Sequence, residues 1–188
     1  MTPRYSYIAI GANMKSRHGN PRATLAAALA LFASEKLRIS AQSSWYETPA
    51  FPAGNGPDYV NAVVAVKSTL APAAQLAALH RIEAEMGRAR LQRWGARVCD
   101  LDLLAVDDAI LPDIATWRSW FALPLAGQMR DAPTELILPH PRLQDRSFVL
   151  VPWAEIAPDW QHPTLHKSVL ELRDALPLAE IAEIRAIS

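Results

Sequence analysis

An α+β fold is predicted by the way two hydrophobic periodicities alternate along this chain. Residues 59–66 (YVNAVVAV) and 98–106 (VCDLDLLAV) are β-branched or aliphatic runs of strand length. Residues 22–34 are rich in alanine and leucine, and Leu76, Leu79, Ile82 and Met86 recur at helical spacing. These segments come in the order strand, helix, strand, strand, helix, strand. That is the split-βαβ or ferredoxin-like plan, an antiparallel sheet with both helices on one face and the other face free to bind.

Each element has a local reason. Residues 5–10 (YSYIAI) read as the first strand, ended by Gly11-Ala12-Asn13. Residues 37–46 suit a second strand. Residues 47–57 hold three prolines and two glycines and read as a loop. Pro72 fits the first turn of the second helix and Gly87 its end. Residues 87–97 then form a loop carrying Arg88, Arg90, Arg93 and Arg97. After the fourth strand, residues 107–135 read as irregular, and residues 148–156 and 168–176 as further helices.

With 188 residues, 51% hydrophobic and 20% charged, the chain is long enough for one domain with a real core. Lys plus Arg and Asp plus Glu are 19 each. Zero net charge argues against nonspecific binding to nucleic acid or anionic membrane. Cys99 is the only cysteine, which excludes an internal disulfide and a cysteine zinc cage. No apolar run of about 18 residues is present, so no spanning helix is expected. A cytoplasmic monomer acting on small molecules is the expectation.

Two patterns carry chemistry. Asp100 and Asp102 are two apart in a strand and share a face. One reading is a structural network with the preceding arginines. The other is a Mg²⁺ site, since Mg²⁺ takes one or two carboxylates, keeps waters and bridges phosphates, while arginines bind phosphates bidentately. Neither G-x-x-x-x-G-K-[ST] nor G-x-G-x-x-G occurs. Asn61 interrupts an apolar strand. Its amide either ties down a neighbouring loop or pairs with a flat heterocycle, with Tyr59, Phe51 and Phe148 as candidate walls.

Taken together, YIAIGAN (7–13), YETPAF (46–51), PDYVNAV (57–63), RIEAEMGRAR (81–90), RWGARVCDLDLL (93–104) and LPHPRLQDRSFVLVPWAEIAP (138–158) resemble the 6-hydroxymethyl-7,8-dihydropterin pyrophosphokinases of folate biosynthesis. The resemblance implies transfer of the β,γ-diphosphate of ATP to the pterin hydroxymethyl group, leaving AMP. It implies two Mg²⁺ ions held by Asp100 and Asp102. Tyr59, Asn61, Phe148, Thr48, Pro49 and Phe51 match pterin-site positions. Arg88 and Arg97 match catalytic-loop arginines, and Trp94 a lid tryptophan. Glu83, Arg90, His140 and Arg146 match ATP-side positions, and His80 falls where the family also contacts ATP.

The chain departs from the family pattern at Ala12, at Ala96 in place of a proline, and at Cys99. A longer connection, about residues 113–133, also sets it apart and is expected to pack on the body through its tryptophans. His162 and His166 read as a surface pair, residues 15–18 as a solvated basic loop, and residues 164–188 as a closing helix and mobile tail. Competing readings are another Mg²⁺-dependent transferase such as a nucleotidyltransferase, an RNA-binding or regulatory module, and a non-catalytic pterin-binding relative.

Overall fold

The computed structural model describes residues 2–50, 56–87, 98–124, 127 and 130–187. Six strands form one sheet: β1 (Arg4–Ala12), β2 (Arg38–Gln42), β3 (Trp45–Thr48), β4 (Tyr59–Ser68), β5 (Asp100–Val106) and β6 (Arg185–Ile187). The order is β5-β1-β4-β3-β6, with β2 also on β4, and every pairing is antiparallel. Counting β2 and β3 as one interrupted strand gives the expected ferredoxin-like arrangement. The interruption falls at Ser43-Ser44. There the Ser43 hydroxyl accepts the Val63 N–H, and the Ser44 N–H and hydroxyl both turn to Glu155. Beyond it β3 runs on through Thr48, so the first residues of the expected 47–57 loop belong to the sheet.

Helices α1 (Pro21–Ala30) and α2 (Pro72–Glu85) pack on one face. Each starts with proline in its first turn, and Asn20 caps α1 through the Ala23 N–H. Ile8, Ile10, Val64, Val66, Leu101 and Leu103 meet Leu25, Phe32, Leu79 and Ile82 there. Full burial of each such side chain contributes about 1.5–3 kcal/mol, so this layer is the main source of stability.

The second face is covered rather than free. Helices α4 (Ser147–Ile156) and α5 (Val169–Asp174) lay Val149, Leu150, Trp153 and Leu172 against Val63, Leu104 and Ala105. A β-bulge at Leu104 allows this: the β1–β5 register shifts between Tyr7 and Ile8, and Leu104 and Ala105 both enter the second core. Along the strands this core takes in Ala9, Val63 and Leu104 but not Gly11, Asn61 or Asp102.

The connection after β5 contains helix α3 (Ile114–Phe121), capped by Asp113 through the Ala115 and Thr116 N–H groups. It packs on the body through Trp117, which is 2% exposed. The C-terminal segment, expected to end in a mobile tail, is instead built into the sheet. Helix α6 (Leu178–Ala182) leads to β6, which pairs with β3. Among the described residues no helix is long and apolar enough to cross a membrane.

Candidate active site

The site grows from one row of the sheet. In register across the strands, Asp100 lies opposite Gly11, Gly11 opposite Asn61, and Asn61 opposite Tyr46. Residues directly opposite in adjacent strands share a face, so Asp100 and Asn61 project from the same side. They are two strand spacings apart, on the order of 10 Å. Asp102 and Thr48 lie on the same face by the two-residue repeat.

Asn61 is buried, and its amide N–H donates to the Thr48 hydroxyl at 2.7 Å. This fixes the amide orientation and sends Oδ1 over Gly11. A Cβ built on Gly11 would run into that oxygen, so only glycine fits beneath it. Gly11 is the site residue that sequence reasoning missed, although a glycine at the end of a strand is the signal for such close approach. Tyr59 is half-buried and lies opposite Thr48, while Pro49 is exposed just beyond β3.

The acid half of the site is tied to the segment that leads into α4. Arg146 donates to Asp102 Oδ2 at 3.1 Å, and its guanidinium lies 5.7 Å from the centre of the Phe148 ring. Arg146 therefore joins a carboxylate of the acid pair to the aromatic wall. The backbone N–H of His140 donates to Leu104 O on β5 at 2.7 Å. Its Nδ1 accepts the Arg142 N–H, which puts the ring proton on Nε2. Burial, reinforced by the Arg146 charge, pushes the imidazole down to about 4, so His140 is neutral near pH 7.

Glu83 is 1% exposed, beneath β5 on α2, and accepts the Leu101 N–H at 2.8 Å. Leu101 separates the two aspartates. Glu83 thus holds the strand that presents them. His80, three residues earlier, is on the exposed side of α2. Phe51, Arg88, Arg90, Trp94, Ala96 and Arg97 lie outside the described residues. Arg17 of the basic 15–18 loop donates to Glu85 O at the end of α2.

The expected surface pair His162 and His166 is not one. His162 is fully buried, and its Nδ1 accepts the Thr164 and Leu165 N–H groups. Burial lowers its pKa to about 4. The reason is tertiary, because Trp117 and Trp160 pack against the ring.

Residues 7–158 match the family described as 7,8-dihydro-6-hydroxymethylpterin-pyrophosphokinase (HPPK). The chain belongs to this family. Among HPPK relatives, a 2-amino-4-hydroxy-6-hydroxymethyldihydropteridine pyrophosphokinase of Pseudomonas aeruginosa is 35% identical over 181 residues, 95% of each chain. One from Synechocystis is 36% identical over 165 residues, 88% of this chain and 72% of the relative. The fold is similar to the crystal structure of a Plasmodium falciparum HPPK-DHPS triple mutant, with a TM-score of 0.64 at 16% identity. That match covers 92% of this chain and 44% of the longer Plasmodium chain.

Proposed function

We propose that the chain transfers the β,γ-diphosphate of ATP to the hydroxymethyl group of 6-hydroxymethyl-7,8-dihydropterin. The hydroxymethyl oxygen forms a bond to the β-phosphorus and loses its proton, the α,β-bridging bond breaks, and AMP leaves. The observation that carries the reading is the juxtaposition on one sheet face of a fixed amide slot, Asn61 on Thr48, and the paired carboxylates Asp100 and Asp102. Arg146 touches both Asp102 and the Phe148 ring.

Asn61 and Thr48 select the hydrogen-bonding edge of the pterin, while Phe148 and Tyr59 wall its faces. Arg146 and His140 serve the nucleotide, His140 as a neutral Nε2–H donor. Reaction of this kind is mostly positioning and charge neutralisation, and these side chains supply both without a covalent intermediate. Phe51, Arg88, Arg90, Trp94 and Arg97 are proposed for the same roles that the resemblance implies, and His80 for a contact with ATP.

Two hard carboxylate donors fit Mg²⁺, which is completed by water and phosphate rather than by an all-protein cage. When bound, the metal neutralises triphosphate charge and polarises phosphoryl oxygens.

Phosphorus NMR of the protein with ATP, Mg²⁺ and the pterin tests the reading. AMP that appears only when the pterin is present is expected. ADP or pyrophosphate as product overturns it. Asp102→Asn is expected to lower turnover by roughly 100-fold or more, and near-full turnover in that variant would remove Asp102 from the metal.

A further inference from the structure

Helix α3 sits in the connection between β5 and the segment that carries His140, and its one buried side chain reaches that segment. The Trp117 indole N–H donates to the Pro139 carbonyl at 2.7 Å, in a buried setting. Pro139 and His140 share a peptide unit, and the N–H of that same unit donates to Leu104 O at 2.7 Å. In a trans peptide the carbonyl and the N–H point in opposite directions. The plane is therefore held from one side by α3 and from the other by β5. One residue earlier, Leu138 exchanges two backbone hydrogen bonds with Leu111, at 2.8 and 3.1 Å.

A peptide plane gripped at both ends cannot rotate, and its rotation sets the direction of the His140 side chain. From His140 the constraint continues. Its Nδ1 takes the Arg142 N–H and its carbonyl takes the Leu143 N–H. The 3₁₀ turn (Leu143–Asp145) that begins there delivers Arg146 to Asp102. Trp117 is itself braced. Phe121 stacks on it at 4.9 Å between ring centres, and the His162 ring lies 5.3 Å away.

We propose that Trp117 is a positioning residue for the nucleotide side of the site, acting through the Pro139–His140 peptide. On this account helix α3 is a brace for the loop that carries His140 and Arg146. The Asn61–Thr48 slot of the pterin half, built on β3 and β4, does not depend on it, and Phe148 is held separately by α4, whose Val149 and Leu150 are buried against the sheet. The proposal rests on the reading above that assigns His140 and Arg146 to the nucleotide.

The test is Trp117→Phe in the full chain. This variant keeps an aromatic ring against Phe121 and His162 and removes the N–H donor together with part of the indole's bulk, and the pterin measurement separates the two effects. Affinity for a non-hydrolysable ATP analogue with Mg²⁺, measured by calorimetry, is expected to fall about 5- to 10-fold, the scale of one lost hydrogen bond. Pterin affinity, measured separately by fluorescence, is expected to stay within twofold. Unchanged nucleotide affinity overturns the proposal, as does an equal loss for both ligands, because general loosening moves both. Trp117→Ala is expected to show the same selectivity with a larger loss. Should that variant fail to fold, Trp117→Phe alone decides. Both measurements are binding equilibria, so they stand whether or not AMP forms in the NMR assay, which tests the functional reading separately.

Discussion

Gly11 and Asn61 decide the proposed pterin side at the scale of single residues. The Asn61 amide is useful only because Thr48 holds its N–H and leaves Oδ1 aimed along the sheet. Gly11 is what lets that oxygen lie flat on β1. In Gly11→Ala the new methyl meets Oδ1, and overpacking of this kind costs about 1–3 kcal/mol. The Asn61 amide is the softer partner, so it should rotate away from Thr48. Pterin affinity is then expected to fall roughly 10-fold or more, with affinity for the ATP analogue unchanged. Equal pterin affinity in the variant would show that the Asn61 orientation does not matter. Asn61 was visible in the sequence as an amide in an apolar strand. Gly11 was read only as the end of a strand, because which residue lies opposite it is a matter of register between strands about fifty residues apart.

Among the elements, β3 shows how support reaches the site from outside. It carries Tyr46 and Thr48, and it is held on one edge by β4 and on the other by β6. Glu155 of α4 holds it again by accepting from the Ser44 N–H and the Tyr46 hydroxyl. The ion pair of Arg185 with Glu47 is exposed and contributes at most about 1 kcal/mol, so the backbone ladder is the main tie. A chain cut after Glu183 exposes the outer edge of β3, and bare edges invite pairing between molecules. Size-exclusion chromatography of that variant is expected to show larger species, and a sharp monomer-sized peak identical to that of the intact chain would contradict this. The sequence placed helices at residues 148–156 and 168–176 within a few residues of α4 and α5, and the capping box of Ser168 with Glu171 fixes where α5 starts. Residues 107–135 read as irregular in the sequence, whereas the structure forms helix α3 there; the cue was Asp113 as a cap ahead of Ile114, Trp117 and Phe121 at helical spacing.

For the whole molecule, the buried neutral His162 contributes to the pH response. His162 is held to about 4 by burial, against about 6.5 in an unfolded chain. Between those values the unfolded chain binds more protons than the folded one. The stabilisation is therefore fully present above about pH 6.5 and is lost as pH falls toward 4. From pH 7 to pH 5 the loss at His162 is on the order of 2 kcal/mol, which lowers Tm by several degrees for a chain of this size. His140, held down in the same direction, adds to it. His162→Asn keeps an acceptor for the Thr164 and Leu165 N–H groups and removes the titration. Differential scanning fluorimetry is expected to show a smaller gap in Tm between pH 7 and pH 5 for this variant. An unchanged gap would assign the effect to other groups.

The sequence by itself determined the strand-helix-strand-strand-helix-strand order of the first 106 residues, the shared face of Asp100 and Asp102, and the motifs of the family. All of these are local, since a period of two or 3.6 residues fixes which side chains align whatever the surroundings. Only the tertiary structure decided that α4 and α5 cover the second face of the sheet, and that His162 is interior. It alone placed Glu83 behind the aspartate strand and brought Trp117 to the Pro139 carbonyl. Each of those joins segments far apart in the chain, such as Ser44 with Glu155 or Trp160 with Asp107. Burial belongs to what covers a residue, and a residue's own sequence neighbourhood does not contain that information.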